Sequence, residues 1–157
     1  VGKNGKLFKM YKFRSMIQNA HEMLREDPQF AALYEAYKKG SYKLKNDPRV
    51  TLVGRFIRKY SFDEVPQLIN VLTGDMSLVG PRPHQPNEIA MYNLNHKKVL
   101  AIKSGSTGLA QVSGSSDLNF DQEVALDSFY IDNWSLWLDF KIISKTLIKM
   151  FFDKSAV

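Results

Sequence analysis

These 157 residues predict an α+β fold, mainly helical and in one domain, with a short strand or hairpin element. Three observations carry that expectation. The composition, 44% hydrophobic with only six Pro and nine Gly, suits one ordinary core and shows no bias toward disorder. Apolar residues recur at helical spacing in several stretches. A two-residue alternation, the mark of a strand, runs through 7–16.

Charge and composition narrow the partners. Twenty-two Lys and Arg against 16 Asp and Glu leave a net charge of +6, which favours anionic partners: nucleotides, phospholipid headgroups or nucleic acid. A nucleic-acid module would interleave aromatics with Lys and Arg on one platform, or show a recognition helix. Neither is evident, so no nucleic-acid partner is expected. Without cysteine, disulfides and thiolate metal sites are excluded. No apolar run approaches the ~20 residues of a spanning helix, and the first residues hold no signal-peptide core.

Each element has its own signal. After the turn-like Asn4-Gly5, the strand at 7–16 places Leu7, Tyr11 and Phe13 on one side and Lys12 and Arg14 on the other. Residues 17–26 read as a helix. Asp27-Pro28 fits an N-cap and first-position proline, and Phe30, Leu33, Tyr34 and Tyr37 continue at helical spacing to Gly40, giving a helical hairpin. The Asn46-Asp47-Pro48 turn leads to Thr51. Beyond it Val53, Phe56, Ile57 and Tyr60 form an apolar stripe, with Arg55, Arg58 and Lys59 exposed or pointed at a ligand.

The stretch YSFDEVPQLINVLTGDMSLVGPRP, residues 60–83, follows. Ser61 and Glu64 match a capping box, so a helix should start near Phe62, take Leu68, Ile69, Val71 and Leu72 as its apolar face and stop at Gly74. Pro66 makes the first turn irregular or moves the cap later. Asp63 then sits where free amides and a helix dipole keep a carboxylate ionised. Such a carboxylate can act as a nucleophile toward phosphorus. Equally, an Asp-Glu pair can do no more than stabilise a helix start. In GPRP, two prolines stiffen the backbone around Arg82, which suits bidentate phosphate recognition or a plain turn with a solvated arginine.

Toward the C-terminus, a helix opened by Asp121 or Asn119 puts Phe120, Val124, Asp127 and Ile131 on one stripe. A carboxylate there needs a partner, either a structural arginine or a functional cation. The tail WSLWLDFKIISKTLIKMFF aligns Leu136, Phe140, Ile143, Leu147 and Met150, with Lys141, Lys145 and Lys149 on another face and Trp134 and Trp137 at its start. That pattern fits an anionic bilayer surface or packing on the core. His21, His84 and His96 fit ordinary surface or capping roles, and their spacing does not suggest zinc.

Four ordered blocks carry a resemblance: GKLFKMYKFRSM, NDPRVTLVGRFIRKYSFDEVPQLINVLTGDMSLVGPRP, STGLAQVSG and ALDSFYIDNWSLWLDFKII. Through them the chain, 1–157, resembles the catalytic domain of the bacterial sugar transferases, monotopic polyprenyl-phosphate phosphoglycosyltransferases. The resemblance implies an enzyme that moves a sugar phosphate from a nucleotide diphosphate sugar, UDP-glucose or UDP-galactose as a guess, to undecaprenyl (polyprenyl) phosphate, releasing nucleoside monophosphate. Exopolysaccharide, capsule, O-antigen or glycoconjugate synthesis would start there.

The resemblance further implies Mg²⁺ held by the catalytic dyad Asp63 and Glu64. Asp63 would form a phosphosugar ester. Lys12, Arg14, Arg58, Arg82 and Asp127 would serve substrate and phosphate binding. It also implies the cytoplasmic face of the bacterial membrane, with amphipathic helices on the inner leaflet. An upstream hydrophobic segment is expected too, so the chain reads as a catalytic fragment. A homo-oligomer is left open. Ser104-Gly105-Ser106, Ala110 and Ser113-Gly114-Ser115 depart from the family pattern, which usually has Pro-Gly, Trp and SGR there. The loop is expected to be less rigid, less aromatic and less basic.

A noncatalytic scaffold of the same fold could keep Asp63 and Glu64 as caps. A glycosidase would need two carboxylates flanking a bond ~5 to 9 Å apart, which adjacent residues do not provide.

Overall fold

The computed structural model describes residues 1–39, 44, 47–90, 92, 96–114 and 118–152. Gly40, Asn46 and Ser115 lie outside them. Helices dominate, with one two-stranded parallel sheet, so the α+β, mainly helical expectation holds.

The strand expected at 7–16 does not form. This segment is extended but has no strand partner beyond one antiparallel bridge, Met16 to Val50. Other groups hold it. The Asn70 side chain accepts from the Tyr11 amide at 3.0 Å and donates to the Lys9 carbonyl at 2.8 Å, imitating a strand neighbour with one buried amide. The Phe13 amide donates to the Asp63 carbonyl at 3.0 Å. Leu7, Tyr11 and Phe13 stay exposed, because no layer covers them.

The helical hairpin is present. Helix α1, Ala20–Glu26, packs on α2, Ala31–Lys39. Between them Asp27 caps a 3₁₀ turn at Pro28–Phe30, its side chain accepting from the Gln29 amide. Asp47 and Arg49 lock the next turn from inside. Arg49 is almost wholly buried; its Nε and Nη2 reach Asp47 at 2.8 and 2.6 Å, and Nη1 donates to the Ala20 carbonyl at 2.9 Å. Burial pushes the Asp47 pKa up, but Arg49, with help from Arg58, more than offsets it and holds it below the ordinary value.

Helix α3, Leu52–Lys59, is capped by Thr51, whose hydroxyl accepts from the Gly54 amide at 2.9 Å. Gly54 is required here, since a Cβ would lie 1.8 Å from the Ser15 carbonyl oxygen. The 7–16 segment therefore lies directly on α3. Half of the expected apolar stripe faces solvent: Val53 and Phe56 are exposed, while Ile57 and Tyr60 are half-buried.

Ser61 is a helix terminator and not an N-cap. It adopts φ 53°, ψ 23°, the left-handed conformation that follows many helix ends, and makes no side-chain cap bond. The capping box with Glu64 is therefore absent. The chain passes through a 3₁₀ turn at Phe62–Glu64 before α4 begins at Gln67, just after Pro66, as the expected irregular first turn. Gly74, φ 81°, ends α4 as expected. The face of α4 is inverted. Gln67 and Asn70 are buried, while Leu68, Ile69 and Leu72 are exposed, because the protein covers this helix only on its amide side.

The sheet pairs β1, Ser77–Val79, with β2, Gly105–Thr107. Both strands lie outside the segment expected to be one. Helix α5, Pro86–Ile89, a 3₁₀ stretch at His96–Ala101, and α6, Leu109–Ser113, link them to α7, Phe120–Asp132. Asn119 caps α7 through the Gln122 amide, and Val124 and Asp127 are buried with Ile131 half-buried, as the stripe requires. Helix α8, Leu136–Phe152, closes the core. Val79, Tyr130 and Ile142 form the centre, surrounded by Ile102, Leu109, Val112, Ile131, Leu138 and Ile143.

The core-packing reading of the tail holds for one face of α8. Ile142, Ile143 and Thr146 face the core, and Thr146 bonds the Thr107 hydroxyl at 2.6 Å. Leu136, Trp137, Phe140, Leu147, Ile148 and Phe151 face outward. Lys149 does not join an exposed basic face, since it donates to the Gln111 carbonyl at 3.1 Å. Among the described residues no helix is long and apolar enough to cross a membrane.

Candidate active site

Three segments converge on the acid pair. The 3₁₀ turn presents Asp63 and Glu64, the 7–16 segment brings Lys12, and the end of α3 brings Arg58. Lys12 Nζ lies 2.7 Å from Glu64 Oε1, with both side chains about one-third exposed. Arg58 is fixed by its Nε donating to the Ser15 hydroxyl at 2.8 Å. The left-handed Ser61 lets α3 end and the chain double back, so a residue five positions before Asp63 acts on the same group.

Asp63 is half-buried and its pKa is raised above the ordinary carboxylate value. Burial is the main cause and the adjacent Glu64 charge adds to it; Lys12, Arg58 and the residue's own amide pull the other way. A long helix dipole was expected to keep this group ionised. Instead a three-residue turn carries it, and burial beside a like charge outweighs the local amides.

Arg82 and Asp127 meet elsewhere. The GPRP turn is pinned to the sheet by Gly105 donating to the Pro81 carbonyl at 2.8 Å and Gly80 donating to the Thr107 carbonyl at 2.9 Å. Asp127, on α7, is buried against this turn, and its pKa is pushed up to about 8. Burial dominates and Glu123 adds repulsion, while the Arg82 amide and guanidinium oppose them only in part. Asp127 Oδ2 is buried with no hydrogen-bond partner among the described residues. No hydrogen bond or ion pair among these residues joins Arg82 or Asp127 to Asp63. Arg14 is exposed and makes neither.

His84 is not a surface histidine. It is buried and hydrogen-bonded to the Tyr92 hydroxyl, in a ring cluster with His96 and Phe120. Sequence reasoning also missed Ser15, Arg49 and Asn70 as supports of the site. The Asn70 signal was present: Gln67 and Asn70 are uncharged amides three apart in an apolar helix, the spacing of one shared face.

Mg²⁺ is bound through one or two carboxylates plus substrate phosphates and rarely through a cage of protein ligands. Among the described residues no group of three or more His, Asp or Glu side chains could hold an ion. The adjacent carboxylates of Asp63 and Glu64 fit the smaller requirement. A divalent ion there would replace or supplement Lys12 as the counter-charge of Glu64.

A half-buried carboxylate flanked by a lysine and an arginine is suited to polyanionic substrates. Comparison with known proteins agrees in class. A family model described as bacterial sugar transferase matches residues 1–153. The undecaprenyl-phosphate galactose phosphotransferase of Salmonella typhimurium is 53% identical over 150 residues, covering 93% of this chain and 31% of that protein. The UDP-glucose:undecaprenyl-phosphate glucose-1-phosphate transferase of Escherichia coli is 42% identical over 167 aligned positions, covering 99% of this chain and 32% of that protein. The exopolysaccharide production protein ExoY of Rhizobium meliloti is 44% identical, covering 94% of this chain and 65% of that protein. The chain thus spans about a third of the first two relatives.

Proposed function

The chain belongs to the bacterial sugar transferase family, and from that premise we propose that it transfers a sugar phosphate from a nucleotide diphosphate sugar, a UDP-sugar, to undecaprenyl phosphate. An Asp63 carboxylate oxygen attacks the sugar-side phosphorus. The bond from that phosphorus to the bridging oxygen breaks, and nucleoside monophosphate leaves with the electron pair. An oxygen of the lipid phosphate then attacks the same phosphorus and expels the Asp63 carboxylate, giving polyprenyl diphosphate sugar.

The observation that carries this reading is the setting of Asp63, half-buried on a rigid turn with Lys12 and Arg58 close enough to act on its charge. A carboxylate approaching a diphosphate meets repulsion, and two fixed cations lower it without reorganising. Lys12 holds Glu64 by its ion pair and so keeps the second carboxylate from turning toward the first. Bound Mg²⁺, held by Asp63, Glu64 and the diphosphate, would neutralise charge on the leaving phosphate.

Arg82 and Arg14 are the further cations for the nucleotide end. The outward apolar side chains of α3, α4 and α8 support a bilayer-surface position, since exposed apolar patches mark partner or membrane contacts.

Intact-protein mass spectrometry tests the covalent step. Mixing with candidate UDP-sugars is expected to add one phosphosugar mass and release nucleoside monophosphate, and Asp63→Asn to abolish both. Turnover that needs both substrates together, with no added mass, would overturn the aspartyl intermediate.

A further inference from the structure

A shallow, open depression of about 470 Å³ lined by Phe13, Ile57, Phe62 and Val65 lies beside the acid pair. All four lining side chains are apolar. Each comes from a segment that builds the acid site: Phe62 and Val65 bracket Asp63-Glu64, Ile57 precedes Arg58, and Phe13 follows Lys12. The Phe13 amide also donates to the Asp63 carbonyl at 3.0 Å. Cavity and carboxylates therefore share one scaffold.

Three of these side chains remain open to solvent, Phe13 at 56% and Phe62 and Val65 at 42% each. Packing within the chain does not require them here. Solvent-facing Phe beside a charged site is apolar area held for a ligand.

Resting on the transfer reaction proposed above, we infer that this cavity receives the first isoprene units of the polyprenyl phosphate acceptor. The lipid phosphate must reach the phosphorus carried by Asp63, and its hydrocarbon begins one C–O bond beyond that phosphate. Apolar surface is therefore needed within an isoprene length or two of the carboxylate. The sugar and diphosphate of the donor are polar and gain little from such walls. Lys12 and Arg58 at the acid end and apolar side chains beside it reproduce the order of a lipid phosphate, charge first and hydrocarbon next.

The test separates the two half-reactions in the full-length protein carrying this domain, held in detergent micelles. Ile57→Ala and Phe62→Ala are expected to form the phosphosugar adduct within about twofold of the parent rate. Their KM for undecaprenyl phosphate should rise about tenfold, the lower end for removing apolar groups from a substrate pocket. A two-isoprene allylic phosphate should show the same rise, because only its first units enter the cavity. Phe62→Leu keeps apolar bulk on the turn and should restore KM, which separates lost contact from a loosened turn.

Adduct formation with an unchanged acceptor KM overturns the inference and leaves the transfer reading standing. A parent that forms no adduct removes the covalent reading first and the acceptor site with it. If KM rises only for the long acceptor in bilayers, and sedimentation with phosphatidylglycerol vesicles falls in parallel, the cavity holds a membrane lipid chain and the inference fails.

Discussion

Helices α4 and α7 each carry an apolar stripe in sequence, and only α7 turns it inward. On α7 the apolar stripe faces in, with Val124 and Tyr130 at 1% and 2% exposure. On α4 the amides face in, with Asn70 fully buried and Leu72 left 87% exposed. The difference lies in what each helix has to satisfy. Helix α7 packs on α6 and on the 3₁₀ stretch at His96–Ala101, and beside its buried hydrocarbon it carries the buried acids Glu123 and Asp127. Helix α4 meets the unpaired backbone of the 7–16 segment, so it supplies an amide that accepts and donates at once. Hydrophobic patterning states that a helix has two faces, and the neighbour decides which one goes inside.

The largest effect that would sharpen this contrast is catalytic. Asp63→Asn should lower turnover by at least about 10³-fold, since removing a nucleophile leaves only binding and electrostatics. It should not lower stability at neutral pH. The sign follows from the raised pKa: the folded state holds the Asp63 proton more tightly than the unfolded one, so ionisation destabilises the fold as pH rises, and a neutral amide avoids that. For the same reason, parent turnover should fall off on acidification at a pH above the ordinary carboxylate range. Thermal melts and a pH–rate profile check both.

Next in size, Ile142→Ala in the core should cost about 2–5 kcal/mol, a Tm loss of roughly 2–4 °C per kcal/mol. Asn70→Ala would strand two backbone groups of the 7–16 segment and should cost about 1–3 kcal/mol for each left buried and unsatisfied. Amide hydrogen exchange should then quicken at Tyr11 and not at β1. If Tyr11 protection survives, the amide bridge does not hold that segment.

Asp127→Asn should act through pH. With its pKa near 8 in the fold and near the ordinary value when unfolded, Asp127 makes the folded state lose stability as pH rises between roughly 4 and 8. The amide variant should flatten that slope and raise Tm most at pH 8, by an amount matching about 1–3 kcal/mol for an unsatisfied buried group. A slope unchanged by the substitution would place the titration elsewhere.

The smallest effect on stability is expected at the outward leucines of α3 and α4. Leu72→Ser with Leu52→Ser should leave stability within about ±0.5 kcal/mol, because neither side chain is buried. Binding to anionic vesicles, measured by sedimentation, should nonetheless weaken. A large Tm loss would show that these side chains serve the fold, and the contrast between α4 and α7 would disappear.

Local signals survived the comparison with the structure. Asp27 and Asn119 cap as their short polar side chains require, Gly74 ends α4 in a conformation that favours glycine, and Pro66 delays the helix after the acid pair. Signals that needed a partner did not. The alternation at 7–16 gave extended backbone without a strand, and Ser61 became a left-handed terminator although its spacing to Glu64 fitted a cap. The dyad was legible because adjacent acids beside a Pro-limited helix form a contiguous pattern. Ser15 was not, because it bonds Arg58, 43 positions away; Arg49 reaches the Ala20 carbonyl 29 positions back, and the Gln67–Asn70 pair showed a shared face but not its target at Lys9, 61 positions back.

By itself the sequence determined the family, the helical character and the helix ends at Asp27, Gly74 and Asn119, since these depend on residues within a few positions of one another. The tertiary structure alone decided that Lys12 and Arg58 act on Asp63, that Asp127 is buried against the Arg82 turn, and that α4 turns its hydrocarbon outward. Those outcomes depend on which distant backbone is left unpaired and which charge is left buried. No periodicity in the chain encodes either.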